Sequence, residues 1–154
     1  MLFLVFQLGT DRYALEAAQV VEVLPLVSSK QIPRAPLGVA GVFDYHGTPV
    51  PLIDLTELAQ GTASRKWMST RIVLVNYQDK SGKAHLLGFL AEHATETMRR
   101  SEEDFADSGV TVADAPYLGP VVTDAAGIIQ RIGIQNLLSE SVGNHLFRER
   151  VESL

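Results

Sequence analysis

The chain contains no cysteine among its 154 residues. This absence excludes a disulfide framework, a thiolate zinc site and a cysteine nucleophile, and it is typical of proteins in the reducing cytosol. A domain of this length buries roughly 70% of its unfolded surface, so it needs neither a disulfide nor a metal for stability. We expect one domain, and two small lobes are the alternative that the length also permits.

Long apolar runs and an excess of positive charge are also lacking. The apolar start of the chain, residues 1–6, has no basic segment before it and stops at Gln7, which is too short for a signal sequence or a membrane span. The formal net charge is −5, which disfavours a nucleic-acid backbone as the main ligand. We therefore predict a cytoplasmic protein with no nucleic-acid partner and no membrane insertion.

Residues 41–55, GVFDYHGTPVPLIDL, form the most informative segment, because two apolar stretches flank a tight polar turn. Gly47 in that turn accepts a positive φ at no steric cost. Pro49 and Pro51 are two residues apart in the second stretch, so the two positions without a backbone N–H lie on the same side of the strand. The segment predicts a β-hairpin whose second strand lies at a sheet edge or a barrel rim.

The rest of the chain also follows mainly the period of two that is typical of strands. Further strands are predicted over residues 2–8, 12–17, 20–27, 71–77, 84–91, 117–122 and 127–132, and short helices over residues 56–60, 101–107, 134–140 and 144–152. Residues 2–8 are apolar on both faces, which predicts a sandwiched strand. Residues 14–23 have a composition that also suits a helix, and periodicity leaves that alternative open.

The order of an apolar hairpin, a loop and another apolar hairpin occurs once before Gly61 and more loosely after Thr70. The polar residues 61–70 between them are predicted to form a mobile loop or a lobe boundary. Many short strands with glycine-marked turns predict a mainly β fold of closed or double barrels. Two lobes would share a groove, and a groove lined by aliphatic side chains can take one face of an amphipathic helix.

Three motifs carry a resemblance to a known family. They are Phe6-x-Leu-Gly-x-x-x-Tyr-Ala-Leu15, Val20-Val-Glu-Val-Leu24 and Gly41-Val-Phe-x-x-x-Gly-x-x-Val-Pro-Leu-Ile-Asp-Leu55. In this order and spacing they resemble the CheW-like chemotaxis coupling proteins, and weaker similarity continues through residues 71–75, 87–92 and 117–138. The resemblance covers about residues 1–140, which are expected to form the family domain, with residues 141–154 as a helical tail.

The resemblance implies a pair of intertwined five-stranded SH3-like barrels, together with short helices, that have no catalytic activity, cofactor or metal. It implies a scaffold that links the cytoplasmic tip of a chemoreceptor to the regulatory domain of a CheA-type histidine kinase, with self-association possible within an array. Partner contacts are predicted at Val20, Glu22, Val23, Gly41, His46, Gly47, Val50, Leu52, Asp54 and Gly88. The alternative for the aliphatic members of this set is the hydrophobic core, where apolar strand residues usually lie.

One departure from the family pattern falls at the turn of the central hairpin. The family usually has Asn-x-Arg-Gly there, whereas this chain has Asp44-Tyr-His-Gly47, so His46 holds the position of the arginine. Arginine is permanently charged, but histidine titrates near neutral pH. Because Glu22 matches the family's acidic partner, we hypothesise a weaker, pH-sensitive contact between Glu22 and His46. Gly133 and Glu92 stand where the family has aspartates, which suggests a paralogue serving a non-flagellar, surface-sensing array.

An enzymatic or ligand-binding alternative rests on Asp44, His46 and Asp54, which are close in sequence and of the right types for acid-base chemistry. A carboxylate beside a turn more often accepts hydrogen bonds from backbone amides, which favours a structural role. His85 and His93 lack the spacing of a helical zinc pair and a third ligand, so no metal site is predicted.

Overall fold

The computed structural model describes residues 1–66, 68–110, 115–138 and Leu146. Within these residues the chain forms one α-helix, α1 (Leu55–Gln60), and 3-10 turns at Ala17–Gln19, Glu102–Asp104 and Ile134–Asn136. The strands are β1 (Leu2–Leu8), β2 (Asp11–Glu16), β3 (Val20–Pro25), β4 (Val39–Tyr45), β5 (Thr48–Asp54), β6 (Thr70–Gln78), β7 (Ala84–Arg99), β8 (Leu118–Asp124) and β9 (Gly127–Ile132).

The prediction of a mainly β fold is confirmed, and every predicted strand is present within a few residues of its expected bounds except the one over residues 84–91, which continues to Arg99. The helical alternative for residues 14–23 is wrong, because β2 and β3 fill this stretch on either side of the short turn Ala17–Gln19. The helix predicted over residues 101–107 is only the turn Glu102–Asp104. Of the predicted C-terminal helices, Ile134–Asn136 is a 3-10 turn, and residues 139–145 and 147–154 lie outside the described residues.

The strands divide into two halves, which we call lobe 1 and lobe 2. Lobe 1 contains β3, β4, β5, β6 and the first part of β7, with β6 antiparallel to β3 and β7 and with β5 parallel to β7. Lobe 2 contains β1, β2, β8, β9 and the last part of β7, with β1 antiparallel to β2 and β7 and with β2 parallel to β9. Each lobe therefore has five strands, and β7 belongs to both.

Both lobes repeat one strand topology, related by a circular permutation of the chain order. In each, an antiparallel hairpin (β4 and β5, or β8 and β9) runs parallel to one strand of a second hairpin. The main hydrogen-bonded path, β3-β6-β7-β1-β2-β9-β8, is not closed within the described residues. A single bridge brings the free edges together in each lobe, Lys30 with Val42 in lobe 1 and Ala106 with Val121 in lobe 2.

The boundary between the lobes lies within β7, which differs from the expectation of a boundary at residues 61–70. That loop connects β5 to β6 inside lobe 1. Glu92 pairs with Thr70 on one side and with Gln7 on the other, and a register shift follows as β7 changes partner from β6 to β1. His93, the next residue, has a φ of 49°, which bends the strand toward the second lobe.

Three apolar clusters fill the molecule. The interior of lobe 1 is formed by Phe43, Val50, Leu52, Ile72, Leu74 and Leu90, and the smaller interior of lobe 2 by Phe3, Val5, Ala14, Val122 and Ile129. The third and largest cluster, which we call the shared core, joins buried residues of both lobes, such as Phe6 and Phe89, whose rings are 5.3 Å apart. Strand β1 contributes Phe3 and Val5 to one cluster and Leu4 to another, which confirms the predicted sandwiched strand.

Candidate partner-binding surfaces

The tip of the β4–β5 hairpin is the most exposed part of the predicted site. His46 and Gly47 form a two-residue turn with φ values of 49° and 86°, the pair of positive values that a type I′ turn requires. Both residues are exposed, and the His46 ring lies 4.4 Å from the Tyr45 ring in an edge-on arrangement. A partner can therefore reach the imidazole directly.

Glu22 is also exposed, on β3 at the edge of lobe 1, where it pairs in register with Leu74. In the part of the chain that the structure describes, no hydrogen bond or ion pair joins Glu22 to His46. Both side chains are available to a partner. Their proposed pH-sensitive contact stays a prediction.

Exposed valines accompany Glu22 on β3 and on the segment that follows it. Val23 is 36% exposed, Val21 is 43% exposed and Val27 is 42% exposed. Val20 is half-buried and packs against the shared core. We call Val21, Val23 and Val27 the valine strip. Sequence reasoning missed Val21 and Val27, although the run Val20-Val-Glu-Val-Leu24 has apolar residues at both alternating sets of positions and therefore leaves some of them without a place in the core.

The other aliphatic residues of the predicted set belong to the core. Val50 and Leu52 are 1% and 2% exposed inside lobe 1, so neither side chain can contact a partner directly. Gly41 and Gly88 are buried at close backbone approaches, where an added Cβ would lie 2.3 Å from the Lys30 carbonyl oxygen or 2.7 Å from Phe43 Cε1. These four residues shape the lobe that carries the exposed contacts.

Asp54 is 4% exposed and stabilises the loop behind β5. Its carboxylate accepts hydrogen bonds from the Glu57 amide at 3.2 Å, from the Ser64 amide at 2.8 Å and from the Ser64 hydroxyl at 3.0 Å. Asp44 and His46 lie at the opposite end of the hairpin, and the length of a strand such as β5 is roughly 20 Å. The three side chains therefore do not converge, and the geometry does not support the acid-base site considered above.

The predicted aliphatic groove between the lobes is largely filled by the shared core. What remains is a cleft of about 630 Å³ where the lobes meet, lined mainly by polar residues that include Gln7, Gln60, Ser64, Arg65, Glu92 and His93. Glu92 accepts hydrogen bonds from the Thr70 hydroxyl and, at 2.7 Å, from the Ser69 hydroxyl. The expectation of an aliphatic groove is corrected, because both lobes turn their apolar faces toward each other.

His85 lies far from the cleft, at the start of β7, and its Nε2 is 2.7 Å from the Asp79 carboxylate. Hydrogen bonds from the Ser81 hydroxyl and then from His85 hold the pKa of Asp79 well below its ordinary value of 3.8. His93 lies at the bend of β7 instead. No three histidine, aspartate or glutamate side chains are grouped for metal binding among the described residues.

None of the helices in the described part of the chain combines the length and the apolar character needed to cross a bilayer.

Comparison with known proteins agrees with this architecture. The family model of the CheW-like domain matches residues 2–142. The chemotaxis protein CheW of Helicobacter pylori is 27% identical over 112 residues, which are 73% of this chain and 65% of that protein, so the match spans less than two thirds of the relative. The chemotaxis protein CheW of Treponema pallidum is 26% identical over 140 residues, which are 87% of this chain and 79% of that protein.

A solved structure shows the same fold. The crystal structure of the scaffolding protein TtCheW from Thermoanaerobacter tengcongensis superposes with a TM-score of 0.78 at 24% identity, and the alignment covers 92% of this chain and 89% of that one. The intertwined lobes, the motifs of the central hairpin and the family match over nearly the whole length lead to one conclusion: the chain belongs to the CheW-like family.

Proposed function

We propose that the protein is a non-catalytic cytoplasmic scaffold that couples the cytoplasmic tip of a chemoreceptor to the regulatory domain of a CheA-type histidine kinase. The family match over residues 2–142 carries this proposal. The relatives are named chemotaxis proteins, and the solved neighbour is called a scaffolding protein. A scaffold needs two surfaces held at a fixed distance, and this chain offers separate surfaces on a common core.

The shared core supports the rigid part of this role. Relative motion of two lobes is expected unless their interface is large and hydrophobic. Here buried aromatic and aliphatic residues from both lobes form one cluster. In addition, β7 is one continuous strand that contributes to both lobes. Partners bound at separate places on the molecule, such as the valine strip and the hairpin tip, would therefore keep a constant relative placement.

The valine strip and the hairpin tip support the binding part of this role. Apolar surface contributes about 25 cal/mol per Å² when it is removed from water, so a few hundred Å² gives several kcal/mol. Association entropy offsets a large share of that gain, which leaves affinities of roughly micromolar strength for a small surface. An array compensates through multivalency, because each bound partner raises the effective concentration of the next.

Binding of a purified kinase regulatory fragment tests the proposal. We expect the parent protein to bind, and Val23→Asp to bind at least roughly tenfold more weakly, because a charge would enter a desolvated contact. Ile128→Asp is the matched control, since Ile128 is 64% exposed on lobe 2 and lies away from the valine strip. Equal binding by the parent and by Val23→Asp would contradict the assignment of this surface, and no binding by the parent would contradict the function.

The contact at the hairpin tip is tested by pH. Histidine is the side chain that usually changes its charge near neutral pH, whereas arginine is permanently charged, so His46→Arg should remove any pH dependence that arises at this position. If a bound partner brings the two side chains together, the affinity of the parent should fall between pH 5.5 and pH 8.5 by roughly the value of one exposed ion pair, and that of His46→Arg should not. Identical pH profiles would remove this part of the proposal.

The pathway is proposed from two departures from the family pattern, Gly133 and Glu92 in place of aspartates. We propose service in a non-flagellar, surface-sensing array. A deletion strain should then lose its surface response and keep its swimming response. Loss of swimming chemotaxis alone would assign the protein to a flagellar pathway.

A further inference from the structure

Two segments at one end of lobe 1, namely the loops before β4 and before β6 with the first two residues of each strand, are strongly basic in an otherwise acidic chain. Residues 26–40 and 61–71 contain five of the 13 Lys and Arg residues and none of the 18 Asp and Glu residues. The cations are Lys30, Arg34, Arg65, Lys66 and Arg71. Since the whole chain has a net charge of −5, this distribution separates charge along the molecule. We call these five residues the basic end.

The topology brings the two loops together. Pro25 at the end of β3 pairs with Arg71 at the start of β6, so the loop after β3 and the loop before β6 leave the sheet at the same end. A cavity of about 240 Å³ lies between them, lined by Val27, Ser28 and Ser29 from the first loop and by Lys66 from the second. Lys30 follows Ser29 directly and is exposed.

None of the five cations forms an ion pair with a carboxylate of the described residues. Arg71 donates instead to the carbonyl oxygens of Met68 at 2.6 Å and Thr70 at 2.9 Å. Three carboxylates that contact these segments accept other hydrogen bonds: Asp54 and Glu92 from serine and threonine hydroxyls, and Glu57 from the Gly38 amide. The positive charge is therefore open to a partner.

Apolar side chains are exposed beside these charges. Met68 is 98% exposed and Val27 is 42% exposed, and each lies in one of the two basic loops. Exposed methionine and arginine together are typical of interface composition, because both give large contact areas and arginine pairs bidentately with carboxylates. A polyanion such as nucleic acid would engage the charges and leave these apolar side chains uncovered.

We propose that the basic end is an additional docking surface for an acidic, amphipathic segment of a protein partner. Carboxylates of that segment would pair with Lys30, Lys66 and Arg71, and its apolar face would cover Val27 and Met68. The surface shares Val27 with the valine strip, extends from it toward Lys66 and Met68, and does not include the hairpin tip at His46. It does not depend on the identity of the receptor or of the kinase.

Two synthetic helical peptides test this proposal. One has glutamates on its polar face and leucines on its apolar face, and the other has glutamine in place of every glutamate. The glutamate peptide should bind the parent at least roughly tenfold more tightly at low salt, and this preference should shrink as ionic strength rises. Amide shifts on binding should map to residues 27–31 and 65–71.

Lys66→Glu should weaken binding of the glutamate peptide by roughly fivefold or more, because it replaces attraction with repulsion at an exposed site. Arg99→Glu makes the same charge change on an exposed residue of lobe 2 and should leave the affinity unchanged. Thermal unfolding of both variants checks that they fold. Equal affinity of the two peptides, equal affinity of the parent and Lys66→Glu, or preferential binding of anionic vesicles or duplex DNA would overturn the proposal.

Discussion

Lobe 1 and lobe 2 have the same strand topology and different interiors. Six large buried residues fill lobe 1, with Phe43 among them. Lobe 2 is filled by five, of which Ala14 is small, and Arg131 completes it from the rim. The Arg131 guanidinium lies 5.1 Å from the centre of the Phe3 ring and 5.4 Å from that of Phe105, and it pairs with Glu16 and Glu102. One lobe is held by apolar packing, and the other partly by a charged side chain.

This difference shows that two lobes with the same strand topology can have interiors made of different residue types. Strand pairing determines which side chains point into each lobe. It does not require that the same types of side chain fill both interiors. Since the shared core joins both lobes, a defect in either interior should weaken the whole molecule. Four predictions follow from comparing the lobes, given from the largest effect to the smallest.

Truncation of the central aromatic residue in each lobe should have the largest effect. Phe43→Ala and Phe3→Ala each remove a ring that is no more than 2% exposed. Each should lower the free energy of unfolding by about 3–5 kcal/mol, from lost transfer energy and from the cavity left behind. Urea denaturation followed by circular dichroism should still show one transition in both variants, because the shared core couples the lobes. Two separate transitions for Phe43→Ala would show that the lobes fold independently.

Removal of Arg131 should affect lobe 2 with no counterpart in lobe 1. Arg131→Ala removes contacts with two aromatic rings, of which Phe3 is buried and Phe105 half-buried, and with two carboxylates, of which Glu16 is half-buried and Glu102 exposed. We expect a loss of about 1–3 kcal/mol in the free energy of unfolding. Arg99→Ala, on an exposed part of β7, should change that free energy by less than about 0.5 kcal/mol. A loss no larger than that of the control would mean that the contacts of Arg131 with Phe3 and Phe105 do not contribute to stability.

Low pH should reduce the folding stability through one turn in each lobe. In lobe 1 the pKa of Asp79 is held well below its ordinary value, chiefly by the Ser81 hydroxyl and then by His85. In lobe 2 the pKa of Asp124 is lowered chiefly by the Arg12 guanidinium, whose two nitrogens each lie 2.7 Å from a carboxylate oxygen. A carboxyl group with a lowered pKa in the folded state stabilises it above the unfolded value of 3.8, and this contribution is lost as the pH falls below that value.

Asp79→Asn and Asp124→Asn should therefore each flatten the decline of the free energy of unfolding between pH 5 and pH 2. The parent should lose more stability than either variant over that interval, and all three should be nearly parallel above pH 6. Chemical denaturation across this range provides the measurement. A decline in either variant as steep as that of the parent would rule out that carboxylate as a source of acid sensitivity.

The hairpin turns should show the smallest difference. His46 has a positive φ in lobe 1, whereas Ala125, at the same position of the corresponding turn in lobe 2, does not. Asparagine tolerates the left-handed region better than histidine, so His46→Asn should raise the free energy of unfolding by about 0.5 kcal/mol. Ala125→Asn should give no gain. A gain of equal size at both turns would show that the effect does not come from the left-handed backbone.

The local parts of this fold are predictable from sequence, and the pairing of distant strands is not. The period of two and Gly47 indicate the central hairpin, because adjacent residues alone decide its geometry. The assignment of β1 and β2 to the second lobe depends on contacts with β7 and β9, about a hundred residues away in the chain. The strand predicted over residues 84–91 stops eight residues before the end of β7, because the bend at His93 interrupts the alternation of its side chains.

The candidate site shows the same limit. Glu22, His46 and Val23 were predicted from the family motifs and are exposed, whereas Val50 and Leu52 come from the same motifs and are buried. A strand with apolar residues on both faces gives no signal about which face meets solvent. The basic end could not be predicted from sequence, because its charges lie in two segments that are separated by three elements of structure and are brought together by the pairing of β3 with β6.

Reconstituted receptor-dependent phosphorylation tests the central claim most directly. A chemoreceptor fragment and a CheA-type kinase are assayed for autophosphorylation with no added protein, with the parent, and with Val23→Asp. The account predicts that kinase activity responds to the receptor only when the parent is present, and that Val23→Asp largely abolishes this response while remaining folded. A receptor-dependent response of equal size without the protein, or no response with it, would contradict the account.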